Sequence, residues 1–399
     1  MAIAAKVNAC IEGSSWIRKM FEEGALLRKE YGDDQVFDFT LGNPTIEPPA
    51  ELQAELQRIA ENPVPGMHRY MNNAGYEETR AAVAAAINTK SRRPTCAANV
   101  VMTCGAGAAL NVVLKTLLNP SDEVIILTPY FVEYKFYIDN QNGTPVIVAT
   151  HDDFQPNLAA IEAAITARTR VIIINSPNNP TGVIYPEATL KALGALLKRK
   201  EQELGISITA ISDEPYAKIS FGEVVPCIFN CIDNSIIVTS HSKDLALPGE
   251  RIGYLAASPA MEEVSLFMQG AIFCNRVLGF VNAPALMQRL VTSLQHSSVD
   301  SELYRHKRDL LYNHLSALGF EMVKPGGGFY LFPKSPLADE IEFIRLAQKY
   351  RILLVPGSGF GAPGFFRIAY CVDDAMIERS LPLWTELAKE VGLQPVATA

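Results

Sequence analysis

Five short apolar runs frame this chain: Asn99 to Thr103, Glu123 to Leu127, Arg170 to Asn175, Ile208 to Asp213 and Ser235 to Thr239. Each is rich in Val or Ile, and each ends in residues suited to chemistry rather than to a core. Such runs read as buried strands of an open α/β sheet, where ligands gather just past the carboxyl ends. Past these ends stand Gly105-Ala106-Gly107, Pro129-Tyr130-Phe131, Asn178-Asn179-Pro180-Thr181-Gly182, Asp213-Glu214-Pro215-Tyr216 and Ser240-His241-Ser242-Lys243.

An arbitrary lysine is a solvated loop residue, because a buried unpaired ammonium is costly. Lys243 has different company. Ser240, Ser242 and Arg251 supply donors suited to a phosphate, and a lysine beside such a cluster loses pKa through like charge and desolvation. A lysine made nucleophilic in this way forms Schiff bases. Gly105, Ala106 and Gly107 lie between a strand and a helix, where backbone amides point outward and favour an anion. This is not a dinucleotide fingerprint, since Leu110 stands where GxGxxG needs its third glycine. The turn after Asn175 holds Asn179 rigidly, with a cis X-Pro bond as one means. Asp213 at the end of an apolar strand either meets a cation or caps a following helix. Phe131 is either a core aromatic or a stacking surface.

At 399 residues, with 48% hydrophobic and 20% charged residues, the chain has apolar content for about two or three globular domains. A formal net charge of −8 argues against nucleic acid or an anionic membrane as the main partner. No apolar run approaches a membrane span. Glu12, Glu22 and Glu23 interrupt the place of a secretory signal, so a cytoplasmic protein is expected. Seven scattered cysteines form no CxxC pair, and six dispersed histidines lack ligand spacing. Reduced thiols and no metal site are the expectation.

In order along the chain, these motifs resemble those of the class I and II aminotransferases, fold-type I enzymes that use pyridoxal 5′-phosphate (PLP). The likeness covers nearly the whole chain. It holds at Ser240, Ser242, Lys243, Ala246, Leu247, Gly249, Arg251, Ile252 and Gly253, and departs at His241, where the family has an apolar or small residue. Packing and proton transfer both stay open for that histidine. The resemblance implies an α/β fold, with a large domain (46–290) built on a mostly parallel seven-stranded sheet between helices. A smaller α+β domain would comprise 1–45 and 291–399.

It also implies roles. Lys243 carries the cofactor and moves the substrate's α-proton, Asp213 keeps the pyridine nitrogen protonated, and Tyr216 donates to the phenolic oxygen. Asn179 bonds that same oxygen and faces substrate, and Phe131 stacks on the ring. Gly105, Ala106, Gly107, Ser240, Ser242 and Arg251 hold the phosphate. Tyr70 reaches the phosphate of a neighbouring subunit, so a homodimer with composite active sites is implied. Gly42 faces substrate, with an ordinary Gly-Asn-Pro turn as the alternative. Arg367 pairs with the α-carboxylate. Arg276 is a candidate for a distal carboxylate, against a surface or structural arginine.

The implied reaction is ping-pong transfer of an amino group from an L-amino acid, aspartate-like or broad, to a 2-oxo acid such as 2-oxoglutarate. A PLP-dependent C–S lyase is the rival, because the same lysine and aspartate serve both chemistries. A non-catalytic PLP-binding regulator is disfavoured by the acidic balance and the lack of an appended DNA-binding segment. Elsewhere, patterning predicts an amphipathic helix over 9–31 with Ile17, Met20, Phe21, Leu26 and Leu27 on one stripe. The larger domain closes over 266–279; further helices are expected over 284–318 and 340–350, a strand pair over 320–332 around Gly326-Gly327-Gly328, and strands over 352–357 and 366–370.

Overall fold

The computed structural model describes residues 2–13 and 15–395, without the side chains of 12, 13 and 15–22. It divides into two compact units: Ile46–Tyr304 with Pro325–Gly328, and Met1–Thr45 with Arg305–Lys324 and Phe329–Ala399.

The larger unit is built on seven strands: β1 Val100–Thr103, β2 Glu123–Thr128, β3 Thr144–Ala149, β4 Thr169–Asn175, β5 Thr209–Asp213, β6 Ser235–Ser240 and β7 Gly253–Ala257. Their order is β1-β7-β6-β5-β4-β2-β3. Only β7 runs against its neighbours, antiparallel to β1 and β6. The remaining pairs are parallel. A parallel sheet is covered on both faces, which explains why these runs are apolar at successive positions instead of alternating. Val124, Ile126, Val171, Ile173, Ile236 and Val238 pack with Val112 and Val113 of the helix Ala106–Leu117 and with Phe267 and Met268 of the helix Val264–Val277. Their alternates Ile125, Ile172 and Ile237 are buried as well.

Because β4, β5 and β6 are parallel neighbours, their carboxyl ends come together: Asn175 lies opposite Asp213, and Asp213 opposite Val238. Gly253 joins this edge to the Ala106–Leu117 helix, since a Cβ there would overlap Thr239 O and come within 3.0 Å of Gly105 Cα.

The smaller unit pairs Phe37–Asp38 in parallel with Ile352–Leu353. It adds an antiparallel set of Val355–Pro356, Phe366–Ala369 and Tyr330–Leu331. Its core is aromatic: Trp384 lies 5.8 Å from Phe320, 6.4 Å from Phe39 and 6.4 Å from Phe366, ring centre to ring centre.

Several elements differ from the sequence expectation. The helix foreseen over 9–31 starts earlier than expected, at Ala5: helical segments Ala5–Gly13 and Ser15–Tyr31 flank residue 14, which lies outside the described residues; Ile17, Met20 and Phe21 lie outside the described side chains. The helical stretch 284–318 is broken into Ala285–Thr292 and Ser301–Ala317. The polar run from Gln295 to Ser298 interrupts it, and Asp300 restarts the helix by accepting from Glu302 N at 2.9 Å.

Residues 291–304, placed by sequence with the smaller domain, group with the larger unit. Val299 N donates to Asp244 O, and Lys218 Nζ donates to Gln295 O and Ser297 O. No hairpin forms around Gly326-Gly327-Gly328. There Gly326 N and Gly327 N both donate to Gly182 O, and a Cβ on Gly327 would come within 2.6 Å of Ile219 O. These glycines serve close backbone approach, not a turn between strands.

Candidate active site

The end of β1 turns through Gly105, whose φ of +82° suits glycine, into the helix Ala106–Leu117. The first amides of that helix lack intrahelical partners. Arg251 lies against this turn: a Cβ on Gly105 would sit 2.7 Å from Arg251 Nη2, and that nitrogen donates to Cys104 O at 3.4 Å. Ser240 Oγ donates to Ser242 Oγ at 3.0 Å beside it, and both serines are buried. Tyr137 completes the rim, its hydroxyl 3.0 Å from where a Gly107 Cβ would stand. Burial, with Glu133 and Asp213 nearby, pushes that phenol up to about 12, so it stays a donor. One cation, a helix start and three hydroxyls gather around the Gly105-Ala106-Gly107 turn, a set of donors that suits a phosphate.

Asp213 closes β5 with 4% exposure. Tyr134 donates to its Oδ2 at 2.5 Å, while its Oδ1 is buried with no hydrogen-bond partner. Burial drives the carboxyl from 3.8 up to about 7, and the Tyr134 hydrogen bond only partly opposes this. A buried carboxylate oxygen without a donor is costly, so the site is built for a cation that the chain does not itself provide. A protonated pyridine nitrogen meets that need.

The Asn175–Gly182 turn is tied down by its own side chains. Asn175 donates to Asp213 O at 2.8 Å and accepts from Asn179 N at 2.7 Å. Asn178 Oδ1 accepts from Thr181 N and Oγ1. Ser176-Pro177 and Asn179-Pro180 are both cis. Asn179 and Tyr216 are buried, and Phe131 is half-buried with its ring edge-on to Tyr134 at 5.5 Å. Lys243 is half-buried on the one-turn helix His241–Asp244 that follows β6.

The larger unit thus gathers Gly105, Ala106, Gly107, Phe131, Asn179, Asp213, Tyr216, Ser240, Ser242, Lys243 and Arg251 along its carboxyl edge. Tyr70 belongs to the same unit but stands on the surface, 89% exposed. Arg276 is exposed on the helix Val264–Val277, its guanidinium 5.5 Å from the Phe273 ring. His241 is buried, with Nδ1 3.2 Å from Asp244 Oδ2. In the smaller unit, Arg367 is buried, donates to Thr40 O at 2.6 Å, and lies 4.7 Å from the ring centres of both Tyr330 and Phe360. Gly42 is needed there because a Cβ would overlap Tyr330 Oη.

Sequence reasoning missed Tyr134 and Tyr137. Their signal was available as two tyrosines at i and i+3 on the short helix Tyr134–Asp139, just past Phe131. Among the described residues no His, Cys, Asp or Glu cluster forms a metal set, and no helix is long and apolar enough to cross a membrane.

A fold-type I sheet with a phosphate cradle, an orphaned buried aspartate and a lysine at one edge defines a PLP enzyme. The family model described as "Aminotransferase class I and II" matches residues 34–381, and this chain belongs to that family of PLP-dependent enzymes. A probable aspartate/prephenate aminotransferase of Thermus aquaticus is 32% identical, the match covering 86% of this chain and 88% of that one. An aspartate aminotransferase of Thermotoga maritima is 30% identical over 90% of this chain and 92% of its own. Among solved structures, an aminotransferase of Eubacterium rectale superposes with a TM-score of 0.94 at 36% identity, covering 98% of this chain and 100% of that one. The chain is accordingly an aminotransferase acting on amino acids and 2-oxo acids.

Proposed function

We propose that this chain works as a cytoplasmic homodimer that moves the amino group of an aspartate-like L-amino acid to a 2-oxo acid such as 2-oxoglutarate, in two half-reactions at one site. The observation that carries the reading is Asp213: its Oδ1 is buried without a donor beside a Tyr134-anchored Oδ2. Gly105, Ala106 and Gly107, with Ser240, Ser242, Arg251 and Tyr137, would hold the PLP phosphate. Bound PLP supplies an electron-withdrawing ring that makes the substrate's α-hydrogen acidic.

The chain's own groups do the rest. Asp213 holds a proton on the ring nitrogen, and Asn179 and Tyr216 donate to the phenolic oxygen. Phe131 covers one ring face. Lys243 Nζ would hold the cofactor until the substrate amine takes its place, and the freed amine would then accept the α-proton and give it back on the cofactor side of the substrate nitrogen. Arg367 grips the α-carboxylate in a two-pronged pair, and Gly42 lets the neighbouring backbone approach. A second 2-oxo acid runs the same path backward.

The aspartate preference is supported by the Thermus and Thermotoga relatives, an aspartate/prephenate and an aspartate aminotransferase. The dimer is supported by Tyr70, left on the surface, and by exposed Leu266, Phe273 and Val277 along one helix. The test is mass spectrometry of the cofactor released after incubation with single amino acids and no 2-oxo acid. Pyridoxamine phosphate formed from aspartate or glutamate supports the reading. Unchanged PLP with release of ammonia and pyruvate from cysteine or cystathionine refutes it in favour of β-elimination.

A further inference from the structure

Behind the Lys243 turn lies a cavity of about 270 Å³ that the reaction does not use. His241 and Asp244 line it, and Lys243 is not among its walls. Their i, i+3 spacing puts both on one face of the turn. His241 Nδ1 sits 3.2 and 3.3 Å from the Asp244 oxygens, and Lys218 Nζ lies 3.0 Å from Asp244 Oδ2. Gln295 Nε2 approaches His241 Nε2 at 3.4 Å while donating to Val291 O, which fixes its amide orientation. The ring therefore accepts at Nε2 and donates from Nδ1 to Asp244.

Lys218 stands two residues past Tyr216 and donates to Gln295 O and Ser297 O. One closed network thus ties the lysine turn to the Tyr216 segment and to the 295–299 loop. Asp244 is buried, and burial alone would raise its carboxyl; His241 and Lys218 outweigh this and hold it below the usual range. Glu214, Tyr254 and Cys227 share the cavity, with Lys90 and His296 at its exposed side. Burial raises both the Tyr254 phenol and the Glu214 carboxyl, the latter to about 7.

We propose that Asp244 and Lys218, paired directly and braced by His241 and Gln295, are positioning residues for Lys243: they clamp its turn to the Tyr216 segment and set the electrostatic environment of its amine. The inference rests on Lys243 being the lysine that binds PLP. Borohydride reduction of the holoenzyme followed by peptide mapping tests that premise separately.

The network is tested with Lys218→Met, Asp244→Asn and the double variant. In the holoenzyme, the readout is the midpoint of the pH-dependent absorbance change of lysine-bound PLP. In the cofactor-free protein, it is the pH profile of Lys243 modification by trinitrobenzenesulfonate, followed by peptide mass spectrometry. Removing the cation should raise both midpoints by about half a unit or more, and removing the anion should lower them similarly. The charge-balanced double variant should return to within ~0.2 units of the parent. Glu214→Gln separates the titration of Glu214 from that of Lys243. Shifts of one sign in both single variants, or no shift in either, overturn the proposal. If Asp244→Asn does not fold, Lys218→Arg decides beside Lys218→Met: the arginine must restore the parent midpoint, and failure to do so refutes the electrostatic role.

Discussion

Replacing Asp213 with asparagine should make the cofactor-free protein less sensitive to a rise in pH from acid to neutral and the cofactor-bound protein less stable. Burial raises the folded-state carboxyl from 3.8 to about 7, so the folded chain holds its proton more tightly than the unfolded one. Stability then falls as pH rises through this window and levels off above it, and the asparagine has no proton to lose. Between pH 5 and pH 8 the parent should lose roughly 2.5 kcal/mol more than the variant. The new amide leaves a donor facing the place of Oδ1, an offset of ~1–3 kcal/mol that does not change with pH. Glu214, raised to about 7 mainly by burial and in small part by the Asp213 charge, titrates in both chains, with a slightly smaller shift in the variant. Adding PLP reverses the ranking, since only the aspartate compensates a protonated ring nitrogen. Urea unfolding at pH 5, 6.5 and 8, with and without PLP, reads all of this. Equal pH slopes in the two cofactor-free proteins, or equal stabilisation of both by PLP, would refute the reasoning.

Tyr134→Phe removes the hydrogen bond that holds Asp213 down. The loss of stability with rising pH in the cofactor-free protein should therefore extend to higher pH in the same urea series. Gly42→Ala forces a methyl onto Tyr330 Oη; a loss of ~1–3 kcal/mol is expected, seen as a melting temperature lowered by several degrees. Arg367→Lys keeps the charge but loses the planar fork, so KM for both amino acid and 2-oxo acid should rise about tenfold or more with kcat changed less. Steady-state kinetics with aspartate and 2-oxoglutarate checks this.

The sheet was legible because its strands are buried on both faces, leaving five apolar runs with polar ends that no solvent-facing strand would show. Two strands escaped that signal. Thr144–Ala149 edges the sheet and has exposed positions, while Gly253–Ala257 follows Arg251 and Ile252 and reads as part of the lysine motif. The cradle glycine was legible because strand-to-helix turns demand backbone freedom, and Asp213 because an acid at the end of an apolar run is conspicuous. What remained hidden depends on contacts distant in sequence. Nothing local says that Tyr134 reaches Asp213 across 79 positions, or that Lys218 meets Asp244 and Gln295. The Gly326-Gly327-Gly328 run misled because glycine marks both turns and close backbone approach, and only the neighbour, here Gly182, distinguishes them.

The pairing of Phe37–Asp38 with Ile352–Leu353 has a consequence for synthesis. About 300 residues separate the partners, and at ribosomal rates the first strand emerges roughly 15–60 s before the second exists. The larger unit can complete its sheet in that interval, but the smaller one cannot close. Until then Phe37 and Phe39, both buried in the finished protein, have no core to enter. The nascent N-terminal segment is thus the natural place for a chaperone to hold this chain. A version circularly permuted to begin near Arg305 would bring the smaller unit's segments together, apart from the Pro325–Gly328 stretch between them, and shorten that wait.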